Sequence, residues 1–231
     1  MRLLACDLDG TLLEPEAGTR DFCRRWETVR DVHLVYVTGR TWPGTRGLLG
    51  RVIPVPDAVV TATGTEVRWR DGSLDTRFHE RLAAGWDPAA VLAALSGFVR
   101  LPAGDAPLRF TVAADRAQVE AALRRQGARA AVIPADPGVV DVCPRGAGKD
   151  RALAYVARRL GVGEGDVWAV GNAPNDGPML GSGVVGAVVA NADPAFARSL
   201  PARVIRCHRP GALGVLELLE RMLGGRAGGR S

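Results

Sequence analysis

Lysine is almost absent. Of the 30 lysine and arginine residues in this 231-residue chain, Lys149 is the single lysine. The richness in Arg, Ala and Gly is that of a GC-rich genome, which drifts lysine toward arginine wherever chemistry permits. Lys149 therefore either marks a place where a compact ammonium is needed and a planar guanidinium does not fit, or it survived by chance; composition alone weighs the two equally. Cysteine is scarce too. Cys6, Cys23, Cys143 and Cys207 lie far apart in the chain, which excludes zinc clusters and redox motifs built on close pairs; all four read as structural. Aromatic residues make up 5% of the chain, which leaves little for stacking on bases. Long hydrophobic runs are missing: each is broken by glycine or charge before it could span a bilayer. The first seven residues reach a carboxylate, Asp7, too early for a signal peptide. A cytoplasmic protein with no membrane partner is expected.

What is present supports a packed domain. Hydrophobic residues are 47% and charged residues 24% of the chain, enough for a core and against global disorder. The net charge is +5. The arginines are spread along the chain, with pairs such as Arg24-Arg25, Arg124-Arg125 and Arg158-Arg159 on expected helices, where a solvated face is the ordinary reading. No nucleic-acid partner is expected.

Short, nearly continuous apolar runs recur at 3–6, 32–37, 58–60, 167–170, 184–190 and 203–207. Such runs belong to strands buried on both faces. Helical patterns fall between them, at 19–30, at 149–160 with Leu153, Val156, Ala157 and Leu160 on one face, and at 211–223 with Leu213, Leu216, Leu219 and Leu223 similarly spaced. This alternation predicts an α/β fold, a Rossmann-like parallel sheet with right-handed crossovers. The middle differs: a helix is expected at 88–99, a strand at 108–113, a helix at 115–126, and strands at 128–133 and 139–143. We expect a core built from residues 1–81 and 146–224, an inserted α+β cap at 82–145, and a disordered tail at 225–231.

In open α/β sheets, ligands bind beyond the carboxyl ends of the strands. The first strand ends in Asp7-Leu8-Asp9-Gly10-Thr11, the second in Thr38-Gly39-Arg40, and the strand at 167 in Gly171-Asn172, followed by Asn175-Asp176. Gly146-Ala147-Gly148 delivers Lys149 to a helix N-terminus. Singly, most of these pieces read as ordinary turns or caps. In this order on this strand pattern they place acids, a hydroxyl and an ammonium in one crevice.

The set resembles the haloacid dehalogenase superfamily of phosphatases. Asp7-Leu8-Asp9-Gly10-Thr11-Leu12 looks like its first motif, Thr38 its second, Lys149 its third, and the stretch from Gly171 through Asn172, Asn175 and Asp176 to Leu180 its fourth. An insert between the second and third motifs, and the segment Thr61-Ala62-Thr63-Gly64-Thr65-Glu66-Val67, are similar to Cof-like and sucrose-phosphate phosphatases with a large α/β cap. The resemblance implies a Mg²⁺-dependent phosphatase. Asp7 would form an aspartyl-phosphate, and Asp9 would act as acid and then base. Because Asp7 and Asp9 are two apart, the strand period could project both to one side. Thr38, Gly39, Arg40, Lys149 and Asn175 would contact substrate, a loop-structural Asn175 being equally open. Mg²⁺ would be held by Asp7, Asp9 (through its backbone carbonyl), Asn172 and Asp176. The family usually has Asp where this chain has Asn172. An amide oxygen still suits a hard cation, but the site loses a negative charge, so either the metal binds more weakly or Asp7 and Asp176 carry more of the load.

The expected substrate is a small phosphorylated metabolite, of the sucrose-phosphate or mannosyl-3-phosphoglycerate type. Two alternatives are a phosphomannomutase-like phosphotransferase and a non-enzymatic ligand-binding relic weakened at Asn172. His33, His79 and His208 fall outside the motifs and read as structural.

Overall fold

A computed structural model describes residues 1–181 and 183–225 of the chain. The expected disordered tail, Gly225 apart, lies outside the described residues. The elements run in the order β1 (Arg2–Cys6), α1 (Glu16–Trp26), β2 (Val32–Val37), α2 (Trp42–Arg46), β3 (Ala58–Thr61), β4 (Glu66–Trp69), α3 (Thr76–Ala83), α4 (Pro88–Ala94), β5 (Val99–Leu101), β6 (Phe110–Ala113), α5 (Arg116–Arg125), β7 (Ala131–Asp136), β8 (Val139–Cys143), α6 (Lys149–Arg159), β9 (Val167–Gly171), α7 (Gly177–Gly181), β10 (Val185–Val188), α8 (Pro194–Ser199), β11 (Ile205–Arg206) and α9 (Gly211–Gly224).

Seven strands form one sheet in the order β11-β10-β9-β1-β2-β3-β4, all parallel except the β3–β4 pair. The apolar runs explain it. Along β1, Leu3 and Ala5 join the apolar layer that includes Leu153 and Val156 of α6, while Leu4 and Cys6 join the layer that includes Phe22 of α1 and Val215 and Leu219 of α9. Side chains alternate across a strand, so a run apolar at every position needs helices on both faces. The α/β Rossmann-like core expected from the pattern is this sheet.

Four further strands form a separate antiparallel sheet, β5-β6-β8-β7. Val91 and Leu95 of the α4 region and Val119 and Leu123 of α5 pack on one of its faces against Val112, Val132, Val140 and Val142. The opposite face carries Thr111 and Asp141, cross-strand partners, toward the large sheet.

Some expected boundaries are corrected. The helix expected to reach residue 99 stops at Ala94, and Val99 opens the edge strand β5. Ser96-Gly97 intervenes, and a β-branched residue after a glycine favours an extended chain. The helix expected at 19–30 starts three residues earlier and ends four residues earlier, Glu16–Trp26. The strand β4 and the helix α3 were not expected. In β4 the side chains of Glu66 and Arg68 interrupt the apolar pattern; buried Glu66 accepts a hydrogen bond from Thr61 Oγ1 at 2.9 Å. The N-terminus of α3 is capped by Asp75, which accepts from Phe78 N at 2.9 Å. No helix of the described residues is long and apolar enough to cross a membrane.

Candidate active site

The three strands β9, β1 and β2 are neighbours at the middle of the large sheet, so their carboxyl ends converge. Asp7 follows β1 directly, its N–H donating to Val170 O of β9 at 3.0 Å. Thr38 follows β2, its N–H donating to Val60 O of β3 at 2.9 Å. Asn172 follows β9, and Lys149 opens α6. The sheet's ladder thus sets the spacing of all four.

Lys149 lies at the centre. Its Nζ donates to Asp7 Oδ1 and to Asp176 Oδ1, each at 2.7 Å, and all three side chains are buried. Burial alone would lower the lysine's pKa, but the two carboxylates more than reverse this and raise it, so the ammonium stays charged. Asp7 is pushed up to about 7: burial disfavours its charge and Asp176 adds to this, while Lys149 opposes both. A guanidinium is too broad to sit between two carboxylates at these distances, which gives the lone lysine a physical reason.

Asp176 was expected among the metal ligands, and the structure places it elsewhere. Oδ1 accepts from Lys149, and Oδ2 accepts from the N–H groups of Asn172 at 3.0 Å and Ala173 at 3.1 Å. It organises the fourth-motif loop and anchors the lysine.

The oxygens suited to a cation gather instead around Asn172. Its side-chain nitrogen faces three acceptors: Thr11 Oγ1 at 3.1 Å, Asp7 Oδ2 at 3.3 Å and the Asp9 carbonyl at 3.1 Å. Since the carboxylate and the carbonyl can only accept and the hydroxyl can accept too, the network orients the amide with nitrogen toward them. Gly10 permits this approach. Its φ is +68°, and a Cβ there would lie 2.3 Å from the end of the Asn172 amide turned away from those acceptors, so the glycine of the first motif is required twice over. Among the described residues no three His, Cys, Asp or Glu side chains cluster in a metal-binding arrangement. The donor set is one carboxylate oxygen, one main-chain carbonyl and, once the amide turns over, one amide oxygen. These are hard oxygen donors of the kind Mg²⁺ accepts alongside water and substrate phosphate, so the residues fit the ion.

Asp7 and Asp9 do not share a strand face, contrary to the expectation from their spacing. The strand β1 ends at Cys6 and the chain then turns through Asp9 (φ −71°, ψ 129°) and Gly10. Asp7 is buried, whereas the Asp9 side chain is 54% exposed. Arg40 grips Asp9, with Nε at 3.0 and 2.8 Å from its two carboxylate oxygens and Nη2 at 2.6 Å from Oδ1. Thr38 is fully buried, and its Oγ1 accepts from Arg40 N at 3.1 Å; it donates to no acceptor among the described residues, which leaves its proton for a phosphate oxygen. Asn175 reaches the same loop: a Cβ on Gly39 would lie 4.0 Å from its Nδ2, and its Oδ1 is buried without a partner in the described residues.

The smaller sheet touches this loop through a buried cluster. Asp141 of β8 accepts from Thr63 Oγ1 and Thr111 Oγ1, each at 2.6 Å. Arg109 Nη1 donates to Gly39 O at 2.7 Å and lies 3.5 Å from Asp141 Oδ2. Thr63 in turn donates its N–H to Thr38 O at 3.2 Å. Ala62, Thr63 and Gly64 all have positive φ, unfavourable for the first two by about 1–2 kcal/mol each. Gly64 packs on the loop before Lys149, where a Cβ would come within 2.4 Å of the Gly148 backbone.

The profile of the sucrose-6F-phosphate phosphohydrolase family matches residues 1–222. The chain belongs to this family. The mannosylfructose-phosphate phosphatase of Agrobacterium fabrum is 30% identical over 84% of this chain and 85% of its own length. The HMP-PP phosphatase of Escherichia coli O157:H7 is 29% identical over 87% of this chain and 88% of its own. The sucrose-phosphatase of Synechocystis sp. PCC6803, solved with sucrose and phosphate, shares the fold with a TM-score of 0.87 at 24% identity, covering 96% of this chain and 98% of that one.

This member of the sucrose-6F-phosphate phosphohydrolase family is therefore a phosphoric monoester hydrolase on a haloacid dehalogenase fold. Its crevice brings together Asp7, Asp9, Thr38, Gly39, Arg40, Lys149, Asn172, Asn175 and Asp176, the residues singled out in the sequence. Sequence reasoning missed Arg109 and Asp141. The signal was available for the second: a carboxylate at the centre of the apolar strand Val139–Cys143 needs a buried partner. His33 and His208 pair with Asp57 at 3.2 Å and Glu217 at 3.0 Å, away from the crevice.

Proposed function

We propose that this enzyme is a Mg²⁺-dependent phosphatase that hydrolyses a sugar phosphate through an aspartyl-phosphate on Asp7. The observation that carries the reading is the buried Asp7–Lys149–Asp176 triplet at the carboxyl end of β1, with both Nζ contacts at 2.7 Å. The relatives support the substrate class, since mannosylfructose-phosphate phosphatase and sucrose-phosphatase are named for sugar phosphates.

Lys149 offsets charge on Asp7 and on the phosphoryl group, lowering the repulsion that an anionic ester presents to a carboxylate. Thr38 Oγ1 and the Gly39 N–H hold phosphoryl oxygens, and Asn175 orients the same group. Asp7 attacks phosphorus in line, the ester P–O bond breaks, and the leaving oxygen takes a proton from Asp9. Asp9 then takes a proton from water as it attacks the aspartyl-phosphate, releasing inorganic phosphate and restoring Asp7. Arg40 must release Asp9 for either transfer. Asp7, the Asp9 carbonyl and Asn172 would hold Mg²⁺, which supplies positive charge that polarises the phosphoryl oxygens.

The test is phosphate release from a panel of sugar phosphates with and without Mg²⁺, together with trapping of labelled phosphate on the protein. Metal-dependent release, with label that hydroxylamine removes and that Asp7→Asn lacks, is expected. Release that persists in Asp7→Asn refutes the nucleophile. Transfer of phosphate between sugar positions without free phosphate would indicate a mutase.

A further inference from the structure

A cleft of about 790 Å³ opens beside the crevice, between β7 and α5 on one side and the start of α6 with Pro174 and Asn175 on the other. Asn175 lines it and also abuts the Gly39 loop. The cleft shares Lys149 and Asn175 with the crevice, so a leaving group that extends past Asn175 would enter it.

The lining is unusual for a neutral sugar. Sugar hydroxyls both donate and accept, and sites for them mix acceptors, amides and aromatic rings. Among the described residues this lining has no aromatic, Ser or Thr, and its single amide is Asn175. It has five arginines, Arg116, Arg124, Arg129, Arg145 and Arg151, against two carboxylates, Glu120 and Asp150. Three of the five are engaged. Arg116 pairs with Glu120 at 2.7 Å, Arg124 lies 4.0 Å from it, and Arg151 donates to the carbonyls of Arg145 and Ala147. Arg129 and Arg145 have no ion pair or side-chain hydrogen bond among the described residues. Both also line a second, smaller cavity together with Arg81, so they stand close together at the junction of the two. Guanidinium groups cannot shed their charge. Arg129 and Arg145 are both exposed, so water solvates them in the free protein and neither is committed to another side chain; each can give an anion entering the cleft carboxylate or phosphate contacts in fork geometry.

We propose that Arg129 and Arg145 form a second anion-binding subsite, and that the substrate is a phosphate monoester whose leaving group carries its own anionic group, a carboxylate or a further phosphate. This rests on the phosphatase reading of the Asp7 crevice. It departs from a neutral disaccharide phosphate.

Two matched pairs test it on the full-length enzyme. Glycerol 3-phosphate and 3-phosphoglycerate differ by a carboxylate; fructose 6-phosphate and fructose 1,6-bisphosphate differ by a phosphate. The anionic member of at least one pair should have kcat/KM higher by about tenfold or more, through KM, and the pair that shows it identifies the anion. The double variant Arg129→Gln/Arg145→Gln should lose that preference and leave kcat/KM for the neutral members and for p-nitrophenyl phosphate unchanged. Equal or better use of both neutral members, or a double variant that weakens neutral and anionic substrates alike, overturns the subsite. A calorimetric arm is independent of turnover. In EDTA, wild-type protein should bind 3-phosphoglycerate or fructose 1,6-bisphosphate more tightly than its neutral match, and the double variant should not. Equal binding of both members by wild type refutes the subsite even if the enzyme is active. Absence of phosphate release from every ester, with discriminating binding retained, refutes the phosphatase reading and leaves the subsite standing.

Discussion

Asn172→Asp restores the residue usual in the superfamily at that position, and the structure sets the size of its effect. The two side chains are nearly isosteric, so the perturbation is a charge. In the present site the amide nitrogen serves Thr11, Asp7 Oδ2 and the Asp9 carbonyl at 3.1–3.3 Å. Without metal, the amide takes the place of a cation among these acceptors. A carboxylate in the same place loses those hydrogen bonds, worth about 1 kcal/mol each. It also faces Asp7 Oδ2, and like charges about 3.3 Å apart cost roughly 5 kcal/mol at an effective dielectric of 20. Protonating the new carboxylate instead costs a similar amount, about 1.4 kcal/mol for every unit by which the working pH exceeds its ordinary pKa. Asn172 is only half-buried, and solvent screening reduces the penalty to about 2–4 kcal/mol. The metal-free variant should therefore be less stable than wild type by that amount. Added Mg²⁺ should recover the loss, because an ion that binds the folded state alone stabilises it by mass action. The half-saturating Mg²⁺ concentration for activity should fall by about tenfold or more. The assay is urea unfolding in EDTA and across a Mg²⁺ titration, beside phosphate release over the same range. Equal metal-free stability together with an unchanged Mg²⁺ requirement would refute the placement of residue 172 at the ion.

Three further outcomes are expected. Asp7→Asn should abolish turnover, leaving below about one per cent, a loss of at least roughly 3 kcal/mol in barrier. Wild-type stability should also depend on pH. Asp7 titrates near 7 in the fold against an ordinary 3.8, so its protonated form favours folding at low pH, and that contribution is lost as pH rises from about 4 to about 7. Metal-free Asp7→Asn should thus be more stable than wild type at pH 8, with the gap closing by pH 4; a gap that widens at low pH would contradict the raised value. Lys149→Arg keeps the charge but cannot fit between Asp7 and Asp176, and should lose kcat by about tenfold or more; full activity would mean the single lysine is accidental. We propose that residues 82–145 are an excisable cap. Replacing them with a short linker should leave a folded core, by circular dichroism and a cooperative melt, that hydrolyses p-nitrophenyl phosphate and discriminates poorly among sugar phosphates. An unfolded product would place the segment in the core, where Leu82, Leu108 and Cys143 already pack with residues of the large sheet.

Much of the site was legible before any coordinates. Apolar runs apolar at every position require a sheet covered on both faces. Each run ends in a short polar motif, and parallel strands carry those ends to one edge of the sheet. Asp7, Thr38, Lys149 and Asn172 follow from local sequence and that rule, and the carboxylate pair gives the one lysine among 29 arginines a physical reason. Tertiary structure decided what depends on contacts between distant residues. Asp7 and Asp9 part company because the strand stops at Cys6, and Arg40, 31 positions on, captures Asp9. Asp176 belongs to the lysine because two loop N–H groups turn its carboxylate that way. Asp141 meets Thr63 across 78 positions, and Arg129 joins Arg145 beside one cleft. No periodicity or spacing encodes such meetings, because they depend on how a second sheet seats on the first, and seating is a property of the packed surfaces rather than of any local segment.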